Sequence, residues 1–399
     1  MKDKVTDISL AERVSRIKPS ATLAIDAKAK KIQAQGGDII NLGVGEPDFD
    51  TPDSIKAAAV KAIKDGHTKY TAVSGVPELK KAICNKYMRD NQLEYEAKNI
   101  IASNGAKQAI YNLIQVLINP NDEVIIPSPY WVSYPDIVAL AEGHTVTIKT
   151  TLEKHYKITA EQLSNAINDK TKLLILNSPS NPTGMSYTKE ELQALGEVLR
   201  ENPHVYILSD DIYEHIVWSP NNYCNILNVC PELKERTILI NGVSKAYAMT
   251  GWRIGYAAGS ETIIKAMNKI QSQSTSSPNS IAQYAAIEAL NGDQQCIKDM
   301  VKKFKARHDF VLQGLEKISG IQYTANHGTF YTFPDCSDLI QSHKAFNNDI
   351  ELAEFLLSKA GIAIVPGSAF GAPGCIRISY ATNMEKLEDA LKRMKTLLG

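Results

Sequence analysis

The chain has 399 residues, 44% hydrophobic and 22% charged, and its 44 Lys+Arg balance 44 Asp+Glu to a formal net charge of zero. That length accommodates a sizeable core and two domains at about 150 residues each. A neutral chain lacks the basic surplus that phosphate-backbone binding needs, which argues against a nucleic-acid partner.

The N-terminal stretch MKDKVTDISLAERVSRIKPS scatters its charges and has no apolar h-region, so no secretory signal is expected. No apolar run approaches the roughly 20 residues of a membrane helix. Six cysteines (Cys84, Cys224, Cys230, Cys296, Cys336, Cys375) lie far apart with no C-x-x-C pair. In a chain this long they read as reduced thiols in a cytoplasmic protein.

Short β-rich runs then alternate with helical patterns. Candidate strands are Asn99–Ala102, Glu123–Pro127, Thr145–Lys149, Lys172–Leu176, Val205–Ser209, Thr237–Asn241 and Gly255–Gly259. Runs such as VIIP, LLIL and ILI are continuously apolar, as in strands covered on both faces. Ala106, Ala109, Ile110, Leu113, Ile114 and Leu117 follow i, i+3, i+4 spacing and predict a helix with one apolar face. Thr188 and Glu191 form a capping-box pattern at the head of TKEELQALGEVLR. The alternation predicts an α/β fold, a mostly parallel central sheet with helices on both faces. Such sheets place ligands at the carboxyl ends of their strands.

The last third changes texture. A helix from about Gln294 to Ile318 carries the basic run KKFKAR, read as a solvated face. GTFYTFP, a helix near Asp349–Ala360, IAIVPGSAFG, IRISYA and a final helix follow, together a smaller α+β domain. The expected division is a large domain over 48–295 and a discontinuous small domain from 1–47 and 296–399.

No G-x-x-x-x-G-K-[ST], H-E-x-x-H or G-x-S-x-G pattern occurs, and no metal site is expected. Gly43-Val44-Gly45 resembles half of a dinucleotide fingerprint, but Asp48 replaces the third glycine and Pro47 spoils the helix entry. The informative segment is GVSKAYAMTGWRIG, Gly242 to Gly255, directly after the strand TILIN. It puts Lys245 just beyond a strand's carboxyl end. A lysine in a Gly/Ser loop between apolar segments can be partly desolvated, which lowers its pKa and makes it a nucleophile. Read alone, a surface lysine is the simpler alternative. Likewise Asp210 alone reads as a helix N-cap, Asn181-Pro182-Thr183-Gly184 as a tight turn and Trp131 as core or interface. Arg377, in the otherwise apolar IRISYA, is either a ligand-binding residue or half of a buried ion pair.

The segment around Lys245 resembles the pyridoxal-phosphate lysine signature of class I aminotransferases. GEPDFDTP (45–52), KY (69–70), SNGAKQ (103–108), SPYWVSYP (128–135), NSPSNPTG (177–184), SDDIYE (209–214) and the Arg377 region agree with that family in order and spacing. Essentially the whole chain is covered, and it is most similar to the bacterial-type aspartate aminotransferases.

The resemblance implies a fold-type I, pyridoxal 5'-phosphate-dependent enzyme acting on amino acids and 2-oxo acids. Lys245 would bond the cofactor and, once freed by substrate, shuttle the proton at the substrate Cα. Asp210, favoured over its neighbour Asp211 by register, would pair with the pyridine nitrogen so that the ring acts as an electron sink. Asn181 and Tyr213 would bond the phenolic oxygen, and Trp131 would stack on the ring. The phosphate would sit at the helix start Gly105-Ala106-Lys107, with Ser244 and Arg253 beside it. Tyr70 would reach it from the neighbouring subunit, which implies a homodimer with shared active sites. Arg377 would bind the α-carboxylate bidentately, with Trp131 and Asn181 also facing the substrate, and Gly45 would let it approach the backbone.

A lysine at the position of Lys107 implies a partner for the distal carboxylate of aspartate or glutamate. The family's other branch uses an arginine from the partner subunit, and QSQSTSSPNS at 271–280 contains none. The expected reaction is therefore ping-pong transfer from aspartate to 2-oxoglutarate. Prephenate or aromatic acids, a C–S/β-lyase reaction on the same cofactor, or a silent regulator are the alternatives.

Overall fold

The computed structural model of the chain describes residues 9–218 and 223–399. Residues 1–8, part of the expected small domain and of the N-terminal stretch read above, lie outside the described residues, as do residues 219–222. The first strand, β1 (Ile40–Asn41), belongs with strands near the end of the chain.

Each candidate strand of the middle region forms. They are β2 (Ile100–Ser103), β3 (Glu123–Ser128), β4 (His144–Lys149), β5 (Thr171–Asn177), β6 (Tyr206–Asp210), β7 (Thr237–Gly242) and β8 (Gly255–Ala258). Among the described residues they make a seven-stranded sheet in the order β2-β8-β7-β6-β5-β3-β4. β8 runs antiparallel to both neighbours, and the other pairs are parallel. Every residue of β2, β7 and β8 is buried, which is why these strands read as continuous apolar runs.

The predicted helix runs Ala106–Leu117 and buries Ala109, Ile110, Leu113, Ile114 and Leu117 against the sheet. The capping box at Lys189–Glu201 is present. Glu191 N–H donates to Thr188 Oγ1 at 3.2 Å and Thr188 N–H to Glu191 Oε2 at 2.7 Å.

Strand register aligns the chemistry. Asn177 pairs with Asp210, and Asp210 with Ile240, so β5, β6 and β7 end along one edge. The loops after these strands carry Asn181, Tyr213 and Lys245. In the last third, β9 (Tyr331–Thr332), β10 (Ile362–Ala363), β11 (Val365–Pro366) and β12 (Ile376–Ser379) form two small sheets, with helices Gln295–Leu315, Asp349–Ala360 and Met384–Leu398. β1 pairs with β10, which ties residues 40–41 to 362–363. β12 is central in its sheet, opposing Val365 to Arg377 and Tyr331 to Ser379.

The loop after β6 is anchored by a buried ion pair between Lys86 and Glu214, both close to fully shielded from solvent. Lys86 Nζ also donates to Asn91 Oδ1 at 2.7 Å. Asn91 and Asn241 donate to the two Glu214 oxygens at 2.8 and 2.6 Å. Removing one member of such a pair strands the other charge in a dry site. Lys86→Met is expected to destabilise the protein by about 3–5 kcal/mol, measured by urea denaturation. A variant of unchanged midpoint would show that Glu214 needs no counter-charge.

Candidate active site

The strand edge opens into a cleft of about 350 Å³. Gly45, Ala106, Lys107, Trp131, Asn181, Asp210, Tyr213, Ser244, Lys245, Arg253 and Arg377 all line it. These residues come from points spread over more than three hundred positions of chain.

Lys245 follows the end of β7 by three residues, and its Nζ donates to the Gly45 carbonyl at 2.6 Å. Burial pushes its amine down to about 8, against a pull upward from Glu46 and with further push from Arg377 and Arg253. At that value a minor fraction, about a fifth at pH 7.4, is the neutral, nucleophilic form, far more than in an ordinary lysine.

Asp210 closes β6 and is buried. Its Oδ2 accepts from the Tyr134 hydroxyl at 2.6 Å, and its Oδ1 from the Ile212 N–H at 3.3 Å. Burial raises its carboxyl to about 6, opposed by the Tyr134 bond. Such a group is set to be completed by a cation. Its neighbour Asp211 points elsewhere, into bonds from Ser209 and Asn225.

At the start of the helix Ala106–Leu117, no side chain caps the first N–H groups. Arg253 lies across this end, with Nη2 donating to the Asn104 carbonyl at 3.3 Å and Nη1 to the Thr250 carbonyl at 3.0 Å. Gly105 has φ +84°, and a Cβ there would collide with the Arg253 guanidinium. The glycine leaves room for a helix terminus and a guanidinium to face one anion. Ser244, also buried, borders the same cleft.

Lys107 stands with Nζ 4.8 Å from the Trp131 ring centroid. Burial pushes its amine down, as does Arg253. Trp131 meets Tyr134 edge to face at 5.3 Å. The Tyr213 hydroxyl lies 3.1 Å from that of Tyr331.

Arg377 is 2% exposed and takes part in no ion pair among the described residues. Its Nη1 donates to Asn181 Oδ1 at 3.0 Å and its Nη2 to the Gly43 carbonyl at 2.7 Å, while Nε has no partner. The ion-pair alternative raised by the sequence is thus absent, and the guanidinium is left for a carboxylate from outside.

Tyr70 does not line this chain's cleft; it is 94% exposed on the surface. Sequence reasoning passed over Tyr331, Tyr134, Ser20, Thr22 and Leu23, all of which border the cleft. Tyr134 was signalled by its place in SPYWVSYP beside Trp131. Ser20 caps the helix Ala21–Ala34, and nothing in its sequence distinguishes that cap from any other.

A nucleophilic amine, a carboxylate awaiting a cation, a flat aromatic wall and an anion cradle at a helix terminus share this cleft. They match the aldehyde, ring nitrogen, ring face and phosphate of pyridoxal phosphate, so the residues present fit that cofactor.

A sequence model described as aminotransferase class I and II matches residues 37–394, and the chain belongs to that family. It is a transaminase that uses pyridoxal phosphate. Among similar proteins, the aspartate/prephenate aminotransferase of Nitrosomonas europaea is 53% identical over 98% of this chain and 100% of its own. The aspartate aminotransferase of a Bacillus species is 51% identical over 96% of this chain and 98% of its own. The crystal structure of the Rhizobium meliloti aspartate aminotransferase superimposes with a TM-score of 0.94 at 46% identity, covering 98% and 99% of the two chains.

The depressed amine predicts selective chemistry. In the cofactor-free protein, Lys245 should react with an amine-directed acylating reagent with a pH midpoint near 8, well below that of ordinary lysines. Peptide mass spectrometry across a pH series reads this directly. A midpoint like that of the surface lysines would contradict the desolvated setting.

Proposed function

We propose that the protein transfers the amino group of L-aspartate to 2-oxoglutarate, giving oxaloacetate and L-glutamate by a ping-pong route. The observation that carries this reading is Arg377, a buried guanidinium without a carboxylate partner, facing the same cleft as Lys245. Every substrate of the two half-reactions brings an α-carboxylate that can complete it.

When bound, pyridoxal phosphate supplies an electron sink for the pair left at the substrate Cα. The protein's own groups do the rest. Arg253 and the N–H groups of Ala106 and Lys107 hold the phosphate, with Gly105 keeping the approach open and Ser244 at its side. Asp210 holds a proton on the ring nitrogen, and Tyr134 holds Asp210. Trp131 covers one ring face. Asn181 and Tyr213 bond the phenolic oxygen. Arg377 binds the α-carboxylate in a forked pair of hydrogen bonds, which aims the Cα proton at Lys245. Lys245 Nζ would take that proton from the substrate Cα, hold it and give it up again to complete the transfer. Gly45 lets the substrate close on the backbone.

Lys107 is the partner we assign to the distal carboxylate, which favours acidic substrates. Names of relatives at 50–53% identity support a second acceptor, prephenate, for the same site. We also infer a homodimer, supported by the exposed Tyr70 and by exposed Val60 and Ile63 on the helix Asp53–Lys64 just before it. The large domain is assigned to 48–295 and the small one to 1–47 with 296–399, supported by the pairing of β1 with β10. A cytoplasmic location is supported by the cysteines, none of which is in a disulfide among the described residues.

A panel of amino donors assayed with 2-oxoglutarate tests the reading, with aspartate expected to lead. Aspartate alone should release one equivalent of oxaloacetate per site, and Lys245→Ala none. Arg377→Lys should raise KM for aspartate and for 2-oxoglutarate alike, by about 10- to 100-fold, through loss of a charge-assisted bond. Lys107→Ala should lower kcat/KM for aspartate relative to alanine by about tenfold or more. Release of pyruvate or ammonia from the donor would replace this reading with a lyase.

A further inference from the structure

Resting on the function proposed above, the geometry points to Tyr331 as a positioning residue for both halves of the site. Its ring holds Arg377 and its hydroxyl holds Tyr213.

Tyr331 is fully buried on β9, opposite Ser379 of β12 and so two residues along from Arg377. The Arg377 Cζ sits 4.3 Å from the Tyr331 ring centroid, closer than its 5.1 Å from Phe370. A desolvated cation with no counter-charge gains most from such a face, because water does not compete for it. The aromatic face also fixes the guanidinium plane, leaving its edge for a forked carboxylate. The other end of Tyr331 reaches across the cleft floor, its hydroxyl 3.1 Å from that of Tyr213. It also borders Gly45, where an added Cβ would lie 3.3 Å from the Tyr331 hydroxyl.

The direction of this hydrogen bond follows from counting protons. Tyr213 has one hydroxyl proton. Once that proton is given to the cofactor's phenolic oxygen, the Tyr213 oxygen can only accept, and Tyr331 is the hydroxyl within reach to donate. Donation to Tyr213 makes Tyr213 a stronger donor in turn. The backbone of Tyr331 is tied on both sides, its N–H to Thr329 Oγ1 at 3.2 Å and its carbonyl to Asn326 Nδ2 at 2.9 Å. The side chain therefore leaves β9 in a fixed direction. Burial raises the hydroxyls of both tyrosines, so both keep their protons. The charged groups that face the pair are Arg377 from β12, Asp210 from β6 and Glu46 from the loop after β1.

A residue that only fills the core would do none of this, and two variants of similar ring shape separate the roles. Tyr331→Phe deletes the hydroxyl. Replacement of Tyr331 by pentafluorophenylalanine also inverts the charge on the ring face. Two readouts are taken on the holoenzyme: the pH midpoint of the bound cofactor's absorption change, and the dissociation constant for succinate, a dicarboxylate that does not react. In Tyr331→Phe the midpoint should move up by about 0.3 pH unit or more, because a weaker Tyr213 donor leaves the phenolic oxygen more basic. Succinate affinity should stay close to wild type. The fluorinated variant should keep the shifted midpoint and bind succinate about fivefold or more weaker than Tyr331→Phe. An unmoved midpoint in Tyr331→Phe, or equal succinate affinity in the two variants, overturns the assignment. Failure of the underlying function has its own signature: wild-type protein without a pH-dependent cofactor absorption, or without succinate binding, overturns both.

Discussion

A guanidinium removed from water costs several kcal/mol unless an opposite charge comes with it. Arg377 is buried on the central strand of its sheet with only neutral partners: an amide, a peptide carbonyl and two aromatic faces. These partners hold the cation in place without neutralising it. The free energy needed to keep it there comes from the rest of the fold, and an arriving carboxylate returns part of it. Much of the surrounding architecture follows from that one debt. β12 needs aromatic neighbours, Asn181 must turn its oxygen inward, and Gly43 must leave its carbonyl free of a strand partner.

The other cations amplify this constraint. Lys107, Lys245 and Arg253 share the cleft with Arg377, in a chain whose formal charge is zero. Like charges brought together in a partly dry cleft push each other toward the neutral form. The amines yield: burial, Arg377 and Arg253 all press Lys245 down, and burial and Arg253 press Lys107 down. The same arrangement thus makes a nucleophile and an anion trap. Asp210 answers from the opposite side, its proton affinity raised by burial and trimmed by Tyr134. Lys245 is displaced toward the value that its proposed task as a nucleophile and base needs.

The parts of this design that were legible in sequence are those encoded locally. β5, β6 and β7 each carry an apolar run, and the loops after them carry the residues that a ligand at the carboxyl edge would meet. The helix Ala106–Leu117 shows its buried stripe by spacing alone. The orientation of β8 was not legible. Gly255–Ala258 is as apolar as the parallel strands of the sheet, and its direction is set by how the segment 243–254 returns from β7, which no composition rule records. Tyr331 was hidden for another reason. GTFYTFP matches no catalytic pattern on its own, and the contact of Tyr331 with Tyr213 spans 118 positions. An aromatic residue that serves through its face and one that merely fills space leave the same trace in a sequence.

Substrate choice follows the same division between what is fixed and what can move. The proposed α-carboxylate site is rigid because Arg377 is held by Asn181, the Gly43 carbonyl and the Tyr331 and Phe370 rings. Lys107 is held by one aromatic face, 4.8 Å from the Trp131 ring, and takes part in no ion pair among the described residues. An ammonium on a flexible stem resting against a ring can swing to meet carboxylates at different distances. Aspartate, 2-oxoglutarate and prephenate all carry a second carboxylate, and they differ in how far it lies from the first. A rigid clamp at one end and a mobile cation at the other suit dicarboxylates of more than one length with one set of residues.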